Sequence, residues 1–227
     1  MPIVVVFRWT VFLLAAFYSL RMLIFGGWEA YGGPLRFLTI WALLLSFFCA
    51  SRMMAFLQGR SARRWDGLVG ATSVLNAMVV ILYWRLYLAD PYSVTQGGQG
   101  GAWWLEYYLH GLGPLLQWID ATFVHRSFRR LGASALWLTG LIGGYVLWIE
   151  GPVQWWNATP RGTVTSGLPY PFLNNLPWDG RQGFYLTNFA AAAVLLLVFA
   201  GIAWAVRRWV PAPAMPPAPR GSRDSAG

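Results

Sequence analysis

Apolar residues run through this chain in long blocks, broken at short intervals by clusters of Gly, Pro and Arg. A bilayer crossing needs about 20 consecutive, mostly apolar residues in helical form. Six blocks meet that length: 3–25, 35–57, 67–88, 103–124, 131–149 and 184–206. The pattern predicts an all-α integral membrane bundle of six transmembrane helices over residues 1–210. A loop or lid over 150–183 lies outside the membrane, and a Pro-rich disordered cytoplasmic tail covers 211–227. The first block lacks a basic start and a small-residue cleavage site before Trp28, so it reads as a retained span rather than a signal peptide.

Composition excludes the soluble alternatives. Hydrophobic residues make up 57% of the 227 and charged residues 11%, and mean hydropathy is +0.46. A water-soluble domain carries roughly 25% charged residues. The formal charge of +9 does not indicate nucleic acid, because the arginines lie between apolar blocks, where topology signals sit. Lys is absent, and a composition rich in Ala, Gly, Pro and Trp suggests a GC-rich bacterial source, hence an inner (plasma) membrane. Cys49 stands alone, which excludes an intramolecular disulfide.

Arginine placement gives the expected orientation. Arg60, Arg63 and Arg64 follow the second block, Arg126, Arg129 and Arg130 the fourth, and Arg207, Arg208, Arg220 and Arg223 the sixth. The remaining loops hold only Arg161 and Arg181. Positive charge accumulates on the cytoplasmic side, so both termini are expected there.

With that orientation, polar residues gather in the outer half. At 1.5 Å per residue, Thr39 lies about 6 Å and His110 about 10 Å below the outer ends of their spans. Thr187 and Asn188 begin the sixth block, and Arg21, Arg36, Arg85 and Glu106 sit at similar depth. Intramembrane ionisable groups face a cavity or one another, although arginines near helix ends also snorkel to headgroups. Asn76 is mid-span, and Asp120 with Arg52, nearer the cytoplasm, is expected to form a structural ion pair. Gly140 and Gly144 form a GxxxG, and Ala190 to Ala193 a smooth strip, both suited to close helix contact.

His110 precedes Pro114 by four residues. Proline has no N–H for the carbonyl of His110, so a kink is expected beside this histidine. Glu106, one turn earlier, can reach the imidazole. Taken alone, such a histidine is either functional or a hydrogen-bonded structural group, and Thr39 alone would bond the carbonyl one turn back. No G-x-S-x-G elbow is present. His110 and His125 stand about 22 Å apart along one helix, so no metal or other cofactor is expected.

The motifs Arg36-Phe37-Leu38-Thr39, His110-x-x-x-Pro114-x-x-x-x-x-Asp120 and Tyr170-Pro171-Phe172-Leu173, in this order, resemble the androgen-induced-gene family and its bacterial six-span relatives. Characterised animal members are threonine hydrolases that cleave fatty acid esters of hydroxy fatty acids. The resemblance implies that Thr39 is the nucleophile and His110 its general base. Family members usually carry an Asn shortly after the Thr, where Ile40, Trp41 and Ala42 stand here. Arg21, Arg36, Arg85, Glu106, Asn188, Tyr170, Pro171 and Phe172 are the expected substrate-binding residues, and the expected partner is a membrane lipid or lipid ester. Alternatives at this stage are a six-span protein that binds or transports a lipid or ion, and a structural subunit of a homo-oligomer or larger membrane complex.

Overall fold

The computed structural model describes residues 3–95 and 100–212, so most of the proposed tail, 213–227, lies outside the described residues. The protein is all-helical, and among the described residues the one β-type contact is an isolated bridge between Arg161 and Ser166. Five helices are long and apolar enough to cross a membrane: α1 (Ile3–Phe25), α2 (Leu38–Leu57), α3 (Asp66–Ala89), α5 (Leu131–Trp156) and α6 (Trp178–Trp209). Between α3 and α5 runs α4, over 103–124, which is helical but interrupted by π turns at Tyr108–Leu112 and Asp120–Val124. These interruptions leave no straight piece of spanning length, although the sequence block is long enough.

Chain breaks follow local chemistry. Gly27 (φ 79) and Gly59 (φ 70) adopt left-handed conformations just beyond α1 and α2, where a side chain would be strained. Pro91 stops α3, and the Asp90 carboxylate accepts hydrogen bonds from the Tyr92 N–H and the Ser93 hydroxyl. Pro34, at the start of the 3-10 turn Gly33–Arg36, delays α2 to Leu38. Thr39 therefore lies in the first turn of α2, shallower than a helix starting at residue 35 would put it. The sixth block extends in both directions to fill the 32 residues of α6.

Helix α3 is the hub. Of its most apolar window, 72% is buried, against 28% for α1 and 22% each for α5 and α6. Its faces pack simultaneously against α2 (Ala42 with Leu75 and Val79) and against α5 and α6 (Val74 and Met78 with Leu138, Ala192 and Leu196). The outer helices turn Leu13, Phe17, Leu136, Leu147, Leu186 and Leu197 outward. An apolar exterior around satisfied helical backbones is the arrangement a hydrocarbon solvent selects.

Close helix approach does not occur at the GxxxG. A Cβ on Gly140 or Gly144 would meet nothing within 4 Å, because that face of α5 points away from the bundle. The tight contact lies at the other end of the same helix. A Cβ on Gly67 would come within 2.9 Å of the Ala133 Cβ, and one on Gly70 within 2.6 Å of the Ser134 Oγ. In the alanine strip, Ala192 alone is buried.

The ion pair expected between Asp120 and Arg52 is replaced by another. Asp120 accepts from Arg8 Nε at 3.1 Å, with both side chains 1% exposed. Arg8 also donates to the Met53 carbonyl at 3.1 Å and approaches His125 Nδ1 at 3.5 Å. Arg52, one residue away from the core-facing Met53, is turned by about 100°, and its guanidinium lies over the Phe48 ring. His125 Nε2 donates in turn to the Arg64 carbonyl at 2.9 Å and faces Asp66 at 3.3 Å. This network ties α1, α2, α3 and α4 together at one end of the bundle.

Breaking a buried pair leaves an uncompensated charge, which costs about 3–5 kcal/mol, whereas replacing both partners by apolar groups is often near neutral. Arg8→Leu alone is thus expected to lower the melting temperature strongly, and Arg8→Leu with Asp120→Leu to recover most of the loss. Equal destabilisation by the single and double variants in a detergent melt would contradict this account.

Candidate active site

Pro114 organises the site. With no N–H at that position, α4 leaves α-helical geometry, and His110 takes φ −112 and ψ 16 inside the π turn. Its carbonyl instead accepts the indole N–H of Trp84, on α3, at 2.8 Å. The bend brings the imidazole to α2, where His110 Nε2 and Thr39 Oγ1 lie 3.2 Å apart. On the other side of the ring, Nδ1 faces Glu106 Oε2 at 3.0 Å. That approach lies off the line of a well-directed hydrogen bond, and neither atom has another partner among the described residues. Gly101 N–H holds the other Glu106 oxygen at 3.0 Å. Tyr83 stacks on the imidazole with centroids 3.5 Å apart and planes at 3°.

Thr39 is held by what surrounds the start of α2. The Leu38 N–H donates to the Tyr170 hydroxyl oxygen at 3.1 Å, and the Tyr145 hydroxyl donates to the Arg36 carbonyl at 2.9 Å. The Leu35 carbonyl accepts two indoles, Trp41 at 2.9 Å and Trp148 at 3.0 Å. Trp41 therefore anchors this turn through its indole. Tyr170 is delivered by the loop before α6, whose fold rests on Asn174. That side chain is fully buried, donates to the carbonyls of Pro160 and Leu168 and accepts the Leu168 N–H. The Arg181–Glu150 pair at 2.9 Å links α6 to α5 beside this loop.

Thr39 opens onto a cavity of ≈ 100 Å³ between α2, α3, α5, α6 and the loop. Its wall is almost entirely apolar: Leu82, Leu86, Ile142, Val146 and Phe184 face it, and the polar groups on it are Thr39, Asn188 and tyrosine hydroxyls. Of the expected substrate-binding residues, Tyr170, Phe172 and Asn188 line this space, although the Asn188 amide is spent on the Phe184 carbonyl. Glu106 stands behind the imidazole. Pro171 borders a separate open cleft with Tyr92 and Arg161. The three arginines are elsewhere: Arg36 is buried and donates to the Gly33 carbonyl, Arg21 lies over Trp104, and Arg85 is exposed.

Sequence reasoning missed Tyr83, Trp84 and Tyr145. The available signal was the aromatic run Tyr83, Trp84 and Tyr87 at the end of α3, whose spacing covers the face turned to α4. A polar cluster deeper in the bundle is structural, as Asn76 donates to Ser46 Oγ and to the Thr72 carbonyl, both at 2.9 Å.

The Trp84 bond is testable. Trp84→Phe removes the indole donor to a carbonyl that Pro114 cannot serve, at an expected cost of about 1–3 kcal/mol. Adding Pro114→Ala should return much of it by restoring an N–H. A thermal melt of the two variants checks the pair of outcomes.

No curated protein and no solved structure matches the chain. Residues 2–203 match the family described as FAR-17a/AIG1-like protein, which takes in the threonine, the histidine, the kinked helix and the loop that closes the cavity. This chain is a member of the FAR-17a/AIG1-like family.

Proposed function

We propose that this protein is a membrane-embedded hydrolase of fatty-acid esters, with Thr39 as nucleophile and His110 as general base. The observation that carries the reading is the 3.2 Å contact between Thr39 Oγ1 and His110 Nε2 at the edge of an apolar cavity. A threonine hydroxyl is a weak nucleophile at neutral pH and needs a base within hydrogen-bond reach. With its proton on Nδ1, facing Glu106, the imidazole presents Nε2 as an acceptor. Thr39 Oγ attacks the ester carbonyl as its proton passes to Nε2. The imidazolium then protonates the departing alcohol, and a water activated by the same nitrogen releases the acid from Thr39. The acyl chain occupies the space between Leu82, Ile142, Val146 and Phe184, while Tyr170 and Phe172 close it from the loop. This assigns the expected arginines no contact with the chain itself.

The same proposal includes six crossings with both termini cytoplasmic, in a bacterial inner membrane. Its support is that the Arg-bearing loops share one end. Arg64 donates to the His125 carbonyl, Arg207 to the Ser127 carbonyl at 2.9 Å and Arg126 to the Val210 carbonyl at 2.7 Å. At the opposite end the Tyr31 N–H donates to Asn157, and the Leu38 N–H to Tyr170.

A fluorophosphonate probe should label the purified protein, with labelling lost in both Thr39→Ala and His110→Ala. Ester turnover should fall by about 10²-fold or more in each. Glu106→Gln should lower turnover without moving the melting temperature. Turnover indifferent to Thr39 and His110 would favour a lipid-binding or structural role. For the orientation, Arg60→Cys and Arg161→Cys, each in a Cys49→Ser background, should react with an impermeant maleimide from opposite sides of the membrane. Reaction of both from one side contradicts the six-crossing arrangement.

A further inference from the structure

A second cavity, of ≈ 370 Å³, lies at the opposite end of the bundle from Thr39, between the loop 58–65 and the first turns of α3 and α5. Arg63, Arg64 and Arg130 line it together with Trp65, Trp137, Leu68, Ala133 and Asp66. Three guanidinium groups against one carboxylate leave a formal +2. The Asp66 charge is itself engaged by Arg64 Nε at 3.3 Å and by His125 at 3.3 Å. Arg64 is further held by the His125 carbonyl. Arg63 and Arg130 make no side-chain hydrogen bond or ion pair among the described residues. The Arg63 guanidinium instead lies over the Trp65 ring, 3.7 Å from its centroid, a cation–π contact that leaves its N–H groups free to bond.

The backbone adds to this charge. The Gly67–Ala133 and Gly70–Ser134 contacts set α3 and α5 side by side and parallel, so two helix N-termini meet at one cavity. Trp65 precedes α3 at φ 59, in the left-handed region, and neither it nor Arg130 caps its helix with a side chain. Uncapped N-terminal amides and the positive ends of both helix dipoles favour an anion there.

We infer that this cavity binds the phosphate group of an anionic membrane phospholipid, with Arg63 and Arg130 as its principal ligands. A free phosphate would use the guanidiniums and amides but not the apolar wall of Trp65, Leu68, Ala133 and Trp137. A lipid uses both, and the exposed Leu131 and Leu136 on the same helix add apolar surface open to acyl chains. Basic pockets between helices at the cytoplasmic surface suit such headgroups. The inference rests on the orientation proposed above and not on the Thr39–His110 reading.

Native mass spectrometry of the full chain, released from detergent after titration with phosphatidylglycerol or phosphatidylcholine, tests it. Phosphatidylglycerol should bind at least about tenfold tighter, and Arg63→Gln with Arg130→Gln should remove that preference, since two charge-assisted bonds are lost. Arg60→Gln with Arg129→Gln removes equal charge from positions that do not line the cavity and should leave binding within about twofold. Melting temperatures without lipid verify that each variant is folded, and the single Arg130→Glu, a charge reversal at an exposed position, should by itself weaken phosphatidylglycerol binding, unchanged binding overturning the site. Equal loss in both double variants, or equal retention of phosphatidylcholine, overturns the site. Displacement of phosphatidylglycerol by equimolar inorganic phosphate overturns the lipid as its occupant.

Discussion

Proline at 114 has no amide hydrogen, and the half of the bundle that holds the candidate site is arranged around that deficit. A continuous α-helix through 103–124 would satisfy the carbonyl of residue 110 from residue 114. With that bond unavailable, the helix opens into a π turn, the carbonyl turns to Trp84 and the imidazole swings to Thr39. The bend requires α3 to carry an indole at the right height. It requires α2 to begin late enough that its first turn, rather than its middle, meets the ring. Three helices are therefore set by one missing donor.

Polar chemistry in this protein is divided between the two ends of α4, 10 to 15 residues apart. At one end His110 connects Thr39 with Glu106 beside an apolar cavity. At the other, Asp120 and His125 connect Arg8 with Asp66 and Arg64. The two clusters differ in how completely their groups are matched. Arg8 and Asp120 are nearly inaccessible and directly bonded, which suits a structural clamp in a low-dielectric interior. Nδ1 of His110 and the facing Glu106 oxygen meet obliquely, and Thr39 is only half-buried. Imperfect satisfaction is where a buried polar network has room for another molecule.

Depth was legible in the sequence, and azimuth was not. Counting residues from span ends put Thr39 and His110 within one helical turn of each other, and Pro114 marked where along the helix the kink would fall. The same counting paired Asp120 with Arg52, because both lie toward the same end, whereas Arg8 on α1 is the residue that faces inward. Selecting between them needs the rotational phase of helices that are apolar all round, and such helices carry little periodic signal. The GxxxG failed for the same reason, since small residues show where helices could approach but not which face is covered. Family resemblance supplied the roles proposed for Thr39 and His110. It was silent on Tyr83, Trp41 and Trp148, whose contacts depend on packing between helices distant in sequence.

The stacking of Tyr83 on His110, with nearly parallel rings in van der Waals contact, fixes more than a position. An imidazole clamped on one face cannot turn over about its Cβ–Cγ bond without first displacing the tyrosine. Its two nitrogens therefore keep their separate addressees, one hydroxyl and one carboxylate. Any proton that traverses this histidine does so within the ring plane, along a fixed line from α2 to the first turn of α4, as through a one-dimensional wire rather than a swinging gate.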